Sequence, residues 1–413
     1  MPTAPGAAGT VRGHEDFSRL WTGLAVSQFG SAIGMVALPV VAVLVVGASA
    51  LQVALLAAIS ALTIALLAFP LGSLLEHRRK RPVMIGADVL RFASLLSIPI
   101  AGLLDVVTFA HLCVAAGATA IGQIAFQAAA QAHLKALVGP DRILDATGRL
   151  ESTQWLNLTV GPSLGGILVG LLGAVGTLVV DAASFLASAA AIRRIRTPEP
   201  PPSVRAPGVS RRSELLAGLR FAVAHPTLRW VLLSWLAFAG SVAMASPVAI
   251  VFFLRDLDFS AWQYGLLLGL PSLGGVIGAR LARPVSARLG VLPTLRLASL
   301  LRGPWQLLIP LAVPGPTGLV MCLVGTLGVL FFAAMANTTM AGYRAVVTPD
   351  HLMVPVSTLW SFTTTVGAPL FIVGGGVLAT LVGNRATLFV AAGLMIAASL
   401  LLLRVSDEVR GGA

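Results

Sequence analysis

The sequence predicts an all-α integral membrane protein: twelve transmembrane helices in two six-helix pseudo-repeats. Three observations carry this: an apolar composition, a dozen long apolar segments, and a short pattern that recurs in the second half. Of the 413 residues, 57% are hydrophobic and 11% charged, and mean hydropathy is +0.91, well outside the usage of a soluble domain. At roughly 20 residues per span plus short connections, the chain has room for about twelve helices and no large soluble domain. The formal charge of +12 would suggest nucleic acid in a soluble protein. Here the basic residues sit in short connections between apolar runs, where orientation and lipid contact account for them, and no nucleic-acid partner is expected.

The first fifteen residues are polar, and the apolar stretch after them is too long for a signal-peptide core and lacks a clear cleavage site, so no processing is expected. Residues 1–16 read as a cytoplasmic tail. Apolar segments bounded by Gly, Pro or charge predict helices over 18–46, 51–75, 82–104, 107–135, 148–172 and 174–192, within a first bundle of 17–192. Residues 193–227 carry Pro198, Pro200, Pro201, Pro202 and Pro207 among several Arg, too little apolar surface to pack, and read as a cytoplasmic linker. A second bundle, 228–404, follows with helices over 228–253, 261–283, 291–313, 316–342, 351–381 and 384–404, and 405–413 form a C-terminal tail.

Basic residues cluster in alternate connections: 77–81, Lys135 with Arg142, the linker, Arg280 with Arg283 and Arg288, and Arg344. The opposite connections carry only Arg255 and Arg385, so both termini and the linker are assigned to the cytoplasm. The sparse use of Lys, two residues among 28 Lys and Arg, hints at a high-GC bacterial genome, and the expected location is the bacterial cytoplasmic membrane. Lys135 to Asp141 and Arg344 to Asp350 share a basic-x4-Pro-Asp pattern 209 residues apart, and the same offset maps Gly165-Gly166 onto Gly374-Gly375. These coincidences argue for duplication, and duplicated halves enclosing a midplane site are a transporter plan. Cys113 and Cys322 lie far apart inside apolar runs, with no CxxC and no Cys/His cluster, so no disulfide framework, metal site or cofactor is expected.

Between the second and third helices run Gly72, Glu76, His77, Arg78, Arg79, Lys80 and Arg81, followed by Asp88 and Arg91. Glycine permits close helix approach, an acid offers a partner to a basic group or a helix N-terminus, and the basic cluster holds the loop in the cytoplasm. Asp88 and Arg91 can pair on one helix face, as a latch or as a simple anchor. The fifth helix carries Asn157, Gly161, Pro162, Gly165 and Gly166: a proline that bends it and glycines that permit tight packing.

The first stretch resembles motif A of the major facilitator superfamily, Gly-x-Leu-x-Asp-Arg-x-x-Arg-Arg, with Glu76 in place of Asp and His77 in place of Arg. The second resembles its antiporter motif C, with Asn157 in place of the first Gly. Further stretches, Phe17 to Trp21, Ala37 to Pro39, Asp181 to Leu186 and His225 to Arg229, resemble the multidrug, macrolide and enterobactin-exporter branch of twelve-span proton antiporters. The resemblance covers nearly the whole chain and implies proton-coupled efflux without fixing the substrate. It assigns a cytoplasmic latch to Gly72, Glu76, Arg78, Arg81, Asp88 and Arg91, and an antiporter motif to Gly161, Pro162, Gly165 and Gly166. The fourth helix offers no Arg, unlike motif B of some drug antiporters, which puts an Arg-based coupling scheme on that helix in doubt.

Asp181 lies about two turns into the sixth helix from its outer end, where a carboxylate is either a proton carrier or a structural partner of Ser184 or a neighbouring helix. Gln28, Gln123, Gln127, Gln154, Asn157, Arg302, Asn337 and Trp360 are the candidates for lining a weakly polar substrate cavity. Gln123, Gln127 and Gln131 share one helix face. Arg302 could recognise an anion, pair with an acid or snorkel to the cytoplasm. Scattered His residues and the absence of HExxH argue against an enzyme, and neither Lys sits in a phosphate loop. The expectation is a monomeric secondary transporter in the lipid bilayer that exports a small organic molecule by alternating access, with protons as coupling partner. The alternatives are an importer or facilitator of the same fold, or a non-transporting membrane receptor.

Overall fold

The computed structural model describes residues 15–76, 78–139, 142–199, 219–349 and 352–404. His77, Pro140, Asp141, Asp350 and most of the expected linker lie outside the described residues, as do the surroundings of Gly72 and the side chain of Glu76. Every regular element among the described residues is helical.

Helix α1 spans Glu15–Val40 and ends in a π-helical turn, Val41–Val45. Then come α2, Ala50–Glu76, α3, Lys80–Leu103, and α4, Phe109–Val138. The stretch Ile143–Arg193 is continuous in its hydrogen bonding but turns at Gly173, whose φ of 74° and ψ of 164° are not helical, giving α5 (143–172) and α6 (174–193). Helix α7, Leu228–Val251, again ends in a π-helical turn, Phe252–Asp256. Helix α8 runs in two pieces, Ala261–Gly269 and Ser272–Leu289, broken where Pro271 has no N–H to offer. Helix α9, Val291–Gln306, continues as Leu308–Leu311 and breaks where Pro310 cannot bond back to Gln306. Helices α10, Pro316–Val347, α11, Met353–Val382, and α12, Asn384–Leu400, complete the described chain. Among the described residues, ten helical stretches are long and apolar enough to cross a membrane. The one that turns at Gly173 counts twice, and the broken α9 brings the number to twelve.

The backbone carries the same duplication as the sequence. Positive φ occurs at Gly47 and Asp258, at Asp105 and Gly315, and at Gly173 and Gly383, pairs separated by 211, 210 and 210 residues. Each sits in the turn that follows α1 or α7, α3 or α9, and α5 or α11. Where an Asp stands in place of Gly, it is a residue type that tolerates the left-handed region. The π-helical turns at the ends of α1 and α7 add a fourth pair.

The chain divides into two compact units: residues up to Gly47 with Ile59–Ala206, and Ala48–Ala58 with the chain from Pro207 onward. In the first, Phe17, Leu20, Met84, Phe126, Leu134 and Ile192 lie in one buried cluster. In the second, Leu228, Leu295, Met335, Tyr343 and Trp360 do the same.

Glycines set how closely the helices approach. A Cβ at Gly161 would fall 2.3 Å from Ala32 Cβ, and one at Gly165 would fall 2.6 Å from the Ile33 carbonyl oxygen, so α5 lies directly on the α1 backbone. In the second unit a Cβ at Gly375 would fall 2.3 Å from the Met244 carbonyl oxygen of α7, whereas Gly374 has open space around it. The contact glycines Gly165 and Gly375 are therefore 210 residues apart, the spacing of the turn at Gly173 and Gly383. The 209-residue register read from the Pro-Asp pattern is one residue short here.

Gly375→Ala is expected to destabilise the protein by roughly 1–3 kcal/mol through overpacking against backbone that cannot move aside. The neighbouring Gly374→Ala should be neutral or stabilising by up to about 1 kcal/mol, because it adds helix propensity in open space. Apparent melting temperatures of the detergent-solubilised variants check both.

Candidate functional site

Inside the first unit, three charged side chains are buried together. Asp88 of α3 is fully buried, Arg91 one turn later is 6% exposed, and Asp181 of α6 is 4% exposed. The Arg91 Nη1 stands 3.6 Å from Asp88 Oδ1. Its Nη2 donates to Ser31 Oγ of α1 at 2.9 Å, and the guanidinium lies 3.8 Å from the centre of the Phe185 ring of α6, with Phe126 of α4 at 6.0 Å. Both Asp88 and Asp181 act electrostatically on Arg91. One guanidinium is thus paired with Asp88, with Asp181 buried in the same cluster beyond ion-pair distance of it, among apolar and aromatic walls.

The chain makes room for these side chains by omitting others. A Cβ at Gly34 would fall 1.9 Å from Asp181 Oδ2, one at Gly30 would fall 2.1 Å from Ser184 Oγ, and one at Gly122 would fall 2.6 Å from Arg91 Cγ. Gly30 and Gly34, four residues apart on α1, therefore form the floor on which α6 sets its Asp and Ser. Gly122 of α4 is the slot for the arginine stem. Ser184 donates to the Asp181 carbonyl oxygen at 2.7 Å, within its own helix, so its hydroxyl does not serve the carboxylate. The oxygen Asp181 Oδ1 and both Asp88 oxygens are buried with no donor at full hydrogen-bonding geometry, the hydroxyl of buried Ser188 and the guanidinium of Arg91 being the polar groups that stand near Asp88. Carboxylates left this way in a dry interior are costly while charged.

At the end of this unit where α3 begins, two acids tie down the segment after α6. Asp16 accepts the N–H groups of Arg196 at 3.1 Å and Thr197 at 2.7 Å, the Thr197 hydroxyl, and Arg19. Glu199 accepts the backbone N–H of Lys80 and, at 3.4 Å, that of Arg81. It thereby caps the positive end of α3 with a carboxylate. Arg81 returns a bond to the Arg193 carbonyl oxygen at 3.3 Å. The acid that serves this helix end comes from the segment after α6, 119 residues along the chain, where spacing gives no signal. Arg78 is exposed.

The other expected site residues disperse. Asn157 is buried and donates its amide to the Ala25 carbonyl oxygen of α1 at 3.3 Å. Gln123, Gln127, Gln131 and Gln154 are exposed, and Gln28 is half-buried. Gly161 and Gly165 make the α1 contact described above, Gly166 is buried beside them, and Pro162 is accommodated within α5. In the second unit Trp360 is buried and the Arg344 guanidinium lies 4.9 Å from its ring centre. Arg302 and the half-buried Asn337 line one cavity with Ser234, Trp235 and Ser299. Arg302 is 2% exposed and forms no ion pair among the described residues, so it neither snorkels nor pairs with an acid there. Gly30, Ser31, Gly34, Gly122 and Phe185 were missed from sequence. The Gly-x3-Gly spacing of Gly30 and Gly34, a helix-packing signal in membranes, was the available clue. No group of three or more His, Cys, Asp or Glu among the described residues could hold a metal.

Comparison with known proteins agrees with this architecture. The chain is 27% identical over 373 residues to the multidrug efflux pump Tap of Mycolicibacterium fortuitum, a match covering 87% of this chain and 88% of the relative. It is 28% identical over 284 residues to the enterobactin exporter EntS of Salmonella typhi, covering 67% of this chain and 64% of the relative, just under two thirds of that protein's length. Among solved structures, a bacterial homologue of the iron transporter ferroportin superposes with a TM-score of 0.75 at 16% identity, over 94% of this chain and 98% of that one. The nucleoside transporter NupG does so with a TM-score of 0.75 at 11% identity, over 94% and 99%. At these identities the two structures speak to the fold alone. The model of the Major Facilitator Superfamily matches residues 20–354, and the chain therefore belongs to that superfamily of multi-pass membrane transporters.

Proposed function

We propose that this transporter is a proton-coupled exporter of a small organic molecule in a bacterial cytoplasmic membrane, with both termini cytoplasmic and Asp181 as the proton carrier. The observation that carries the reading is the burial of two carboxylates with one guanidinium, of which only Asp88 is ion-paired. With both acids charged the cluster holds a net negative charge in a low-dielectric bundle, and one proton on Asp181 makes it neutral. Asp88 and Arg91 belong to the same helix, while Asp181 reaches the pair from α6. Loss of the proton gives Arg91 a second anion to turn toward, and its ion pair with Asp88, at 3.6 Å, is loose enough to allow that movement. Protonation is in this way converted into a changed attraction between α3 and α6, with Arg91 also donating to Ser31 of α1.

The export direction is supported by two relatives, one described as an efflux pump and one as an exporter, and by the antiporter-like Gly161-Pro162 stretch on α5. The strap of Asp16 and Glu199 serves as the cytoplasmic latch, acting with Arg81 at the start of α3. Gly72, Glu76 and Arg78 join it through the family resemblance. The substrate class remains the broad one of drugs, macrolide-like compounds, siderophores and secondary metabolites.

Two experiments test the reading. In cells loaded with a panel of dyes, macrolides and siderophores, wild-type protein should lower accumulation, a protonophore should abolish this, and Asp181→Asn should be expressed yet inert. Export by the Asp181→Asn variant at the wild-type rate, still sensitive to the protonophore, would refute the carrier role. Gly34→Ala should also lose transport, because its Cβ displaces the Asp181 carboxylate. Gly30→Ala should do comparable harm, since its Cβ would fall 2.1 Å from Ser184 Oγ and 2.5 Å from Ser184 Cβ, and rotating the hydroxyl relieves only the first contact; the efflux rates of both variants are the measurement.

A further inference from the structure

Arg302 is a buried cation for which the described part of its own unit supplies no counter-charge. Its side chain is 2% exposed, its Nε has no hydrogen-bond partner, and its guanidinium lies 3.8 Å from the Phe238 ring centre of α7. Arg91 in the first unit also stacks on a phenylalanine at 3.8 Å, but Arg91 has Asp88 and Asp181. The only acids among the described residues of the second unit are Asp256 and Asp258. They lie beyond the far end of α7, about 30 Å along the helix from the cavity wall at Trp235, and Asp256 already accepts from Asn384 at 3.1 Å. Stacking on a benzene ring does not neutralise a guanidinium, and a buried cation left without an anion is strongly unfavourable.

The surroundings of Arg302 are those of an anion receptor. The cavity it lines is flanked by Ser234 and Trp235 of α7, Ser299 of α9 and Asn337 of α10. The indole Nε1–H of Trp235 is likewise buried without an acceptor. Indole is a donor only, guanidinium is a donor only, and the Asn amide can present its NH2. The space has room for about one water-sized species. Water could accept from these donors but cannot balance the charge.

We propose that the cavity between α7, α9 and α10 is a binding site for a single small monovalent inorganic anion of the halide class, held by Arg302 and Trp235. The site is separate from the Asp88, Arg91 and Asp181 cluster and does not depend on the proton-carrier reading. Its dimensions favour a free inorganic ion over an anionic group of a transported molecule.

The test uses the full-length protein purified in detergent and measures binding of radiolabelled chloride, with gluconate holding ionic strength constant. Wild-type protein should bind chloride saturably, bromide should displace it, and gluconate should not. Arg302→Gln should abolish the saturable component. Trp235→Phe keeps the ring and loses one hydrogen bond, so it should raise the half-saturation concentration about fivefold. Absence of saturable binding to the wild type would overturn the proposal, as would retention of binding by folded Arg302→Gln. Should Arg302→Gln fail to elute as a monodisperse species, the Trp235 variant decides, and unchanged affinity there counts against the site. Displacement by carboxylate-bearing substrates but not by bromide would also overturn it, by assigning the cation to transported molecules.

Discussion

A charge buried in a membrane bundle must find its partners within the chain or in an ion the chain binds, because neither lipid nor bulk water is there to supply them. The first unit is arranged around that constraint. Arg91 can stay in the interior only because Asp88 and Asp181 offset it, Ser31 takes one of its donors and two aromatic rings cover its faces. Those groups can converge only because α1 and α4 present glycine where any side chain would occupy the same space. The close approach of α5 to α1 through Gly161 and Gly165 then fixes the opposite side of α1. One helix is therefore pressed between a packing contact and a charge cluster, and a change of attraction on one side bears on the contact at the other.

The same constraint operates at the rim of the unit, where water is available and the partners are backbone groups. The first N–H groups of α3 have no intrahelical acceptor. Glu199 meets two of them, while Asp16 collects the N–H groups of Arg196 and Thr197. The segment leaving α6 is in this way bonded to the starts of α1 and α3, and two acids hold together elements far apart in the sequence. A carboxylate at a helix N-terminus gains from the helix dipole as well as from the hydrogen bonds.

Much of the fold was legible in the sequence because membrane helices are specified by length and hydropathy, which are local properties. The segments expected over 82–104 and 316–342 differ only at their ends from Lys80–Leu103 and Pro316–Val347. The turn at Gly173 fell where the boundary between the fifth and sixth helices was expected. The site was less legible. Asp88 and Arg91 share a helix turn, so their pairing could be anticipated from spacing, but the approach of Asp181 from α6 depends on which faces of α1, α3 and α6 meet. Gly30 and Gly34 matter because of the side chains they admit, and those belong to another helix. Glu199 as the cap of α3 joins residues 119 positions apart, beyond the reach of any local pattern. Gln123, Gln127 and Gln131 do share a face, as periodicity requires, and that face is exposed.

The duplication makes the difference between the two units informative. Turns, π-helical ends and contact glycines repeat at 210 or 211 residues, so the scaffold is built twice, and each copy buries an arginine against a phenylalanine at 3.8 Å. The acids are not repeated: Ala298 and Ala391 stand 210 residues after Asp88 and Asp181. A neutral side chain at both positions removes from the second unit the charge chemistry that the first retains. A duplicated scaffold with a titratable cluster in only one copy can change its charge on one side alone. Under the proposed proton coupling, that asymmetry would let a proton bias one half of a pseudo-symmetric protein, where two matched clusters would respond to the same proton in both halves. The environment of the second arginine differs from the first in kind: donors gathered around a cation, where the other unit gathers acids around one.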